Sequence, residues 1–443
     1  MTTSSRPLRF ITCGSVDDGK STLIGRLLFD SKSLMLDQLD SLGRARGAQT
    51  RAGELDLSLV TDGLEAEREQ GITIDVAYRY FATPKRKFII ADAPGHEQYT
   101  RNMVTGASKS DVAVILIDVT KLDFSGDTIE LLPQTKRHSA IAGLLGIKHL
   151  VVAVNKMDAI DFDRAKFERV IAAFEAIASS LNLSNFTAVP ISALKGDGVV
   201  AHTSNTVWFD GPSLLEALES IDLTAENSDS TRADETRSAH IAVQYVTRDA
   251  ADGHRRWIMG DVADAALNVG DRIRVFPSGA LAVVTAINTP RGSTSVAHVD
   301  EAVALGLDRQ VDVARGDWII AVRESPSVGA QLSTNRVTAT LAWLDNAPLA
   351  PGRRLLARHG TRWLPARVSR ITRRLDLQSA HWIDQSEGED AAQTVVHAND
   401  IVEATIEFGS ALPIADYEIS ALRGAVVLVD PGTHTTAAAA MVK

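Results

Sequence analysis

Residues 14–21 read GSVDDGKS, directly after the apolar run LRFITC (8–13) and directly before a stretch, 20–29, whose apolar residues share one helical face. G-x-x-x-x-G-K-[ST] between a strand and a helix is a phosphate-binding loop. Its glycines, Gly14 and Gly19, let the backbone curl so that N–H groups of Ser15, Val16, Asp17 and Asp18 point inward, toward the positive dipole end of the following helix. Lys20 is expected to reach β- and γ-phosphates, Ser21 to give its hydroxyl to Mg²⁺, and Thr22 to stand beside it in the first helical turn. Working outward, KFIIAD (87–92), VAVILIDV (112–119), LVVAVN (150–155) and FTAVPIS (186–192) alternate with helical patterns such as 164–178. Near-continuous apolar runs of this kind belong to a mostly parallel sheet covered on both faces. The prediction is a doubly wound α/β domain with ligand loops at the carboxyl ends of the strands.

Those loops carry the remaining motifs. Asp92-Ala-Pro-Gly95 closes the second run, placing a carboxylate for the Mg²⁺ shell and the Gly95 N–H near a γ-phosphate. Alone, D-x-P-G is a common turn; after a phosphate loop it is the expected partner. Asn155-Lys156-Met-Asp158 follows the fourth run. Guanine presents an N1–H and an N2 amino donor on one edge, so the Asp158 carboxylate can accept both, whereas adenine offers no such pair. Asn155 is expected to hold neighbouring loops, and the Lys156 stem to lie across the ring. Ser192-Ala193-Leu194 supplies a loop whose N–H can meet guanine O6. In this order the elements specify GTP as the substrate. Between them lies a charged stretch, Asp62–Asp75, in which Thr73 can bind Mg²⁺ and the γ-phosphate only while that phosphate exists, the mechanics of an order–disorder switch. His96 is placed to orient the attacking water. Lys20, Thr73 and His96 are therefore the expected catalytic set, with slow basal hydrolysis raised by a partner, since no arginine is obviously placed as a finger.

Beyond residue 221 the texture changes. Residues 222–238, DLTAENSDSTRADETRS, have almost no large apolar side chains and read as a linker. HIAVQYV, GDRIRVFPSG, ALAVVTAI and GDWIIAV then suggest a small β-barrel over 239–326, and RVTATLAWL, RRLLARHG, RWLPARVSRI, IVEATIEF and GAVVLVDPG a second over 327–443. Residues 1–221 form the GTP-binding domain in this reading. The only low-complexity tract is a short TTAAAA near the C-terminus.

Among the 443 residues, 46 Lys+Arg stand against 56 Asp+Glu, a net charge of −10 that argues against a dedicated nucleic-acid coat. No apolar run reaches about 18 residues and the first residues lack a secretory pattern, so no membrane association is expected and the cytoplasm is the expected compartment. One cysteine, Cys13, excludes an internal disulfide and reads as a small buried hydrophobe. Trp257, Trp318, Trp343, Trp363 and Trp382 read as barrel core. Arg353, Arg354, Arg358, Arg362, Arg367, Arg370, Arg373 and Arg374 crowd the second barrel and read as a solvated or partner-facing surface in preference to an RNA site, since aromatic interleaving is sparse.

The motif set, followed by two β-barrels, resembles the translation-factor GTPases of the elongation factor Tu group. GSVDDGKSTLIGRLL, TDGLEAEREQGITIDVAYRYF, KFIIADAPGHEQYTRNMVTGAS, QTKRHSAIAGLLGIKHLVVAVNKMD and VPISALKGDGV look closer still to the GTPase subunit family of bacterial sulfate adenylyltransferase. That resemblance implies binding and hydrolysis of GTP, pairing with a small adenylyltransferase subunit (subunit 2), and coupling to formation of adenosine 5′-phosphosulfate and pyrophosphate from ATP and sulfate. It implies phosphate and Mg²⁺ roles for Lys20, Ser21, Thr73 and Asp92, a water-positioning role for His96, and an apolar gate at Val16 and Ile72. No nucleic-acid partner is expected, although a translation factor delivering aminoacyl-tRNA is the alternative. Two stretches depart from the family pattern: TKLDFSGDTIELLP (120–133), longer than expected and read as a surface loop, and RDAADGHRRWIMGDV (248–262). No second phosphate loop is present, so a fused adenosine phosphosulfate kinase activity is not expected.

Overall fold

A computed structural model describes residues 6–32, 57, 76–95, 100–181, 183, 185–223, 238–249, 255–322, 333–350, 352–376, 379, 381–385 and 395–443. The chain divides into two compact units, 1–222 with 375–382, and 223–374 with 383–443.

The first unit is built on a six-stranded sheet of β1 (Leu8–Cys13), β2 (Ala77–Ala82), β3 (Lys87–Asp92), β4 (Val112–Asp118), β5 (His149–Asn155) and β6 (Phe186–Pro190), in the order β2-β3-β1-β4-β5-β6. All pairs are parallel except β2 with β3. Every residue of β4 is buried, which is why its sequence carries no alternation. The edge strand β2, AYRYFA, does alternate: Tyr78 and Tyr80 are exposed and Phe81 is buried against Phe88. Its mixed, half-polar texture hid it among the loop residues of the sequence. The registers pair Thr12 with Asp92 and Asp118 with Asn155, so the strand ends deliver their loops to one edge, and β1 occupies the point where the strand order reverses.

Helices cover the sheet: α1 (Lys20–Asp30), α2 (Thr100–Ala107), α3 (Pro133–Leu144), α4 (Arg164–Ser180) and α5 (Leu214–Ser220). In α1, Leu23, Ile24, Leu27 and Leu28 form the buried stripe; in α4, Phe167, Val170, Phe174 and Ile177 do so at three- and four-residue spacing. Asp163 caps α4 by accepting the Lys166 N–H at 3.1 Å. Ser213 and Glu216 form a reciprocal capping box on α5.

The second unit holds two closed antiparallel barrels of six strands each, as the sequence texture predicts. The first comprises β7 (His240–Ala242), β8 (Arg255–Ala263), β9 (Arg272–Phe276), β10 (Leu281–Thr289), β11 (Ala302–Leu307) and β12 (Trp318–Ala321), ordered β9-β12-β7-β8-β11-β10 and closed by pairing of β10 with β9. The other comprises β13 (Thr334–Trp343), β14 (Arg354–His359), β15 (Arg362–Asp376), β16 (Ile401–Leu412), β17 (Ala425–Val429) and β18 (Thr436–Val442), ordered β14-β17-β18-β13-β16-β15 and closed between β14 and β15. Closure removes open edges. Inward residues alternate with outward ones, as in β9, where Ile273 and Val275 are buried between exposed arginines. All but the first residue of the TTAAAA tract lies in β18, which pairs with β13 and β17.

One reading of the barrels changes. Trp318 and Trp343 are core, but Trp363 is 52% exposed under the Arg358 guanidinium, and Trp257 and Trp382 are half-buried. The arginines of the second barrel are largely committed to carboxylates. Arg353 reaches Asp345 and Asp430, each at 2.7 Å, Arg374 reaches Asp400 at 2.8 Å, and Arg367 and Arg373 pair with Glu407 and Glu403, their cross-strand neighbours. A guanidinium already satisfied by a neighbouring carboxylate presents little free charge to a phosphate backbone.

Candidate functional site

At the carboxyl edge of the first unit's sheet the phosphate loop, the β3 end, the Asn155–Asp158 loop and the Ser192–Leu194 loop come together. Gly19 is the residue before α1, in the left-handed region at φ 92°, and a side chain there would place Cβ 2.5 Å from the Asn155 Nδ2. Asp17 is also left-handed, at φ 63°. Asn155 bridges two loops: its Nδ2 donates to the Asp18 carbonyl at 2.7 Å, and its Oδ1 accepts the Ala193 N–H at 2.9 Å.

Lys20 is buried and folds back over the loop, donating to the Gly14 carbonyl at 3.0 Å and the Ser15 carbonyl at 2.7 Å. Burial pushes its ammonium below the ordinary lysine range, while Asp18 and Asp92 favour the charged form. Gly95 lies so close that an added Cβ would stand 2.4 Å from the Lys20 Nζ. Asp92 is buried, with Thr12 donating to its Oδ1 at 3.4 Å. Ser21 and Thr22 occupy half-buried positions in the first turn of α1, and Val16 lies half-buried on the loop. The Ser21 hydroxyl and the Asp92 carboxylate are oxygen donors of the kind a hard divalent cation takes.

At the base end, Lys156 is left-handed at φ 61° and its Nζ lies 2.6 Å from the buried Asp118 carboxylate. Asp158 sits in the short turn Met157–Ile160, with the Lys195 ammonium 3.9 Å away. Ser192 is fully buried and accepts the Lys195 N–H at 3.2 Å, closing the loop that presents Ala193 and Leu194. Thr73 and His96, together with Ile72, lie outside the described residues, as do most of the linker and residues 250–254.

Several residues that hold the site carry no motif. Arg26, one and a half turns into α1, donates to the carbonyls of Ala193 and Leu194 and so ties the base loop to the phosphate-loop helix. Asp118 and Lys121 flank the end of β4; the only sequence signal was a carboxylate ending a wholly apolar run. The stretch 120–133 is exposed over most of 123–130, as expected of a surface loop, yet Lys121 at its start reaches the phosphate loop. Arg169 of α4 anchors its Phe124 carbonyl at 3.0 Å.

His138, on α3, accepts the Gly14 N–H at 3.1 Å through Nδ1, and its Nε2 lies 2.9 Å from the Gln134 side-chain amide. Burial, then the Lys20 and Arg137 charges, push its pKa from 6.5 down to about 3. A histidine held neutral when folded but free to protonate when unfolded makes the unfolded chain the stronger proton binder below its ordinary pKa. Its share of stability is intact at neutral pH and is lost as pH falls below about 6.5. Between pH 7 and pH 5 the wild type should therefore lose about 2 kcal/mol more than His138→Asn in equilibrium urea denaturation. Equal losses would remove His138 from this role.

Residues 5–225 match the elongation factor Tu GTP binding domain family, and residues 336–443 the GTP-eEF1A C-terminal domain-like family. The chain is 43% identical over 437 residues to sulfate adenylyltransferase subunit 1 of Laribacter hongkongensis, covering 98% of this chain and 85% of that one. It is likewise 43% identical over 439 residues to the bifunctional enzyme CysN/CysC of Mycobacterium tuberculosis, covering 98% of this chain and 67% of that one. Among solved structures it is similar to the Saccharomyces cerevisiae Ski7 GTPase-like domain, with a TM-score of 0.52 at 18% identity and coverage of 99% and 97% of the two chains, a likeness of fold. By identity across nearly its whole length, the chain belongs to the sulfate adenylyltransferase subunit 1 family.

Proposed function

We propose that this member of the subunit 1 family binds GTP in the cradle at the sheet edge, hydrolyses it, and couples that hydrolysis to formation of adenosine 5′-phosphosulfate and pyrophosphate from ATP and sulfate on a small partner subunit. The observation that carries the nucleotide part is Asn155, which joins the phosphate loop to the base loop in one continuous surface. The sulfate chemistry rests on the name borne by the relatives.

In this reading backbone N–H groups of the phosphate loop and the Lys20 ammonium hold the β- and γ-phosphates. Ser21 and Asp92, with Thr73, hold Mg²⁺, which when bound supplies positive charge against the phosphate oxygens. The Gly95 N–H faces the γ-phosphate, and His96 orients the attacking water. Asp158 accepts the guanine N1–H and N2 donors, and the Ser192–Leu194 loop offers an N–H to O6. In this reading adenylyl transfer belongs to the partner and this chain contributes the downhill hydrolysis.

Following phosphate release from GTP, the chain alone should turn over slowly, and addition of the small subunit with ATP and sulfate should accelerate it at least tenfold. Lys20→Ala should abolish both rates. No acceleration by partner, ATP and sulfate together would overturn the coupling.

A further inference from the structure

Asp18 is unusual company for a triphosphate. Its carboxylate is 1% exposed and sits inside the phosphate loop, its Oδ2 accepting the Ser15 N–H at 2.5 Å. A buried negative charge there opposes the phosphates the loop is shaped to hold unless it is neutralised. The neutralising group comes from 103 residues away: the Lys121 ammonium lies 2.8 Å from the Asp18 Oδ1 and also donates to the Val16 carbonyl at the crest of the loop.

The chain aims Lys121 there by a local device. Asp118, at the end of β4, caps a single turn, Val119–Lys121, accepting the Thr120 N–H at 2.9 Å and its hydroxyl at 2.6 Å. The second Asp118 oxygen faces Lys121 at 3.9 Å and Lys156 at 2.6 Å. Two lysines and two buried carboxylates thus run from the phosphate loop to the base loop. The Lys121 charge is also felt at Lys20, whose pKa it helps to lower, after the larger effect of burial.

We propose that Lys121 is a positioning residue of the nucleotide site, neutralising Asp18 and holding the crest of the phosphate loop so that the loop accepts a polyphosphate. The inference rests on the reading of this edge as a GTP site. It gives the first residues of the lengthened 120–133 segment a part in nucleotide binding.

The test is a double-mutant cycle on the full chain, with fluorescent GDP and GTP analogues as probes. Lys121→Met should weaken both nucleotides at least tenfold, and Lys121→Arg should restore affinity to within threefold, because a guanidinium carries the same charge to the same carboxylate. In an Asp18→Asn background the Lys121→Met change should cost less than twofold, since no buried charge then awaits a partner. A general loss of packing would carry the same penalty into both backgrounds, so an undiminished penalty overturns the proposal, as does Lys121→Met binding like wild type. Failure of the wild type itself to bind either probe overturns the GTP reading and this inference with it.

Discussion

Replacing Gly19 with alanine should lower GTP affinity about a hundredfold while leaving the sheet intact. Two effects add. The position is left-handed at φ 92°, where a Cβ costs roughly 1–2 kcal/mol. The new Cβ also falls 2.5 Å from the Asn155 Nδ2, so the bond from Asn155 to the Asp18 carbonyl must break or the loop must shift. A lost hydrogen bond of this kind contributes about 0.5–1.5 kcal/mol more, and about 1.4 kcal/mol is a factor of ten in binding. Alanine at Gly126, where the nearest atom to a new Cβ would be the Thr128 carbonyl oxygen at 3.7 Å, is the matched control and should bind as wild type. Titration of a fluorescent GTP analogue decides the matter; affinity of Gly19→Ala within threefold of wild type would mean that the Asn155 bridge does not shape the loop.

How much of this was legible in the sequence depends on how local its cause is. The strand LRFITC, the loop GSVDDGKS and the helix after it announce themselves because a strand buried at every position but Arg9 must be largely apolar and a tight phosphate loop needs glycine at fixed places. Three more strand ends carrying their motifs were equally plain. Strand β2 was not, because an edge strand with one wet face has the composition of a loop. The site's supports were hidden for a different reason. Lys121 meets Val16 across 105 residues of chain, His138 meets Gly14 across 124, and Arg26 meets the Ala193 carbonyl across 167. No spacing rule connects such pairs; the parallel registers do, by bringing the ends of β1, β4 and β5 to one edge. In the second barrel, composition gave eight arginines but not their partners, and it is the β15–β16 pairing that sets Arg367 opposite Glu407 and Arg373 opposite Glu403. Trp363 misled because tryptophan's bulk argues for a core place while its strand position points it outward.

The claim on which the rest depends is that Asp158 reads guanine. A carboxylate accepting two donors from the base edge is worth about 1.5–3 kcal/mol per charged hydrogen bond, so Asp158→Asn should reduce GTP affinity by a factor on the order of a hundred to a thousand. Xanthine carries an oxygen where guanine has its N2 amino group, and an asparagine amide donates to that oxygen where aspartate cannot. The backbone turn Met157–Ile160 that carries residue 158 does not depend on the side chain's charge, so the variant keeps its cradle. Calorimetric titration of wild type and Asp158→Asn with GTP, ATP and xanthosine triphosphate is the direct measurement. Wild type should prefer GTP over both others, and the variant should prefer xanthosine triphosphate over GTP; unchanged preference in the variant, or wild type binding ATP as tightly as GTP, would contradict the account.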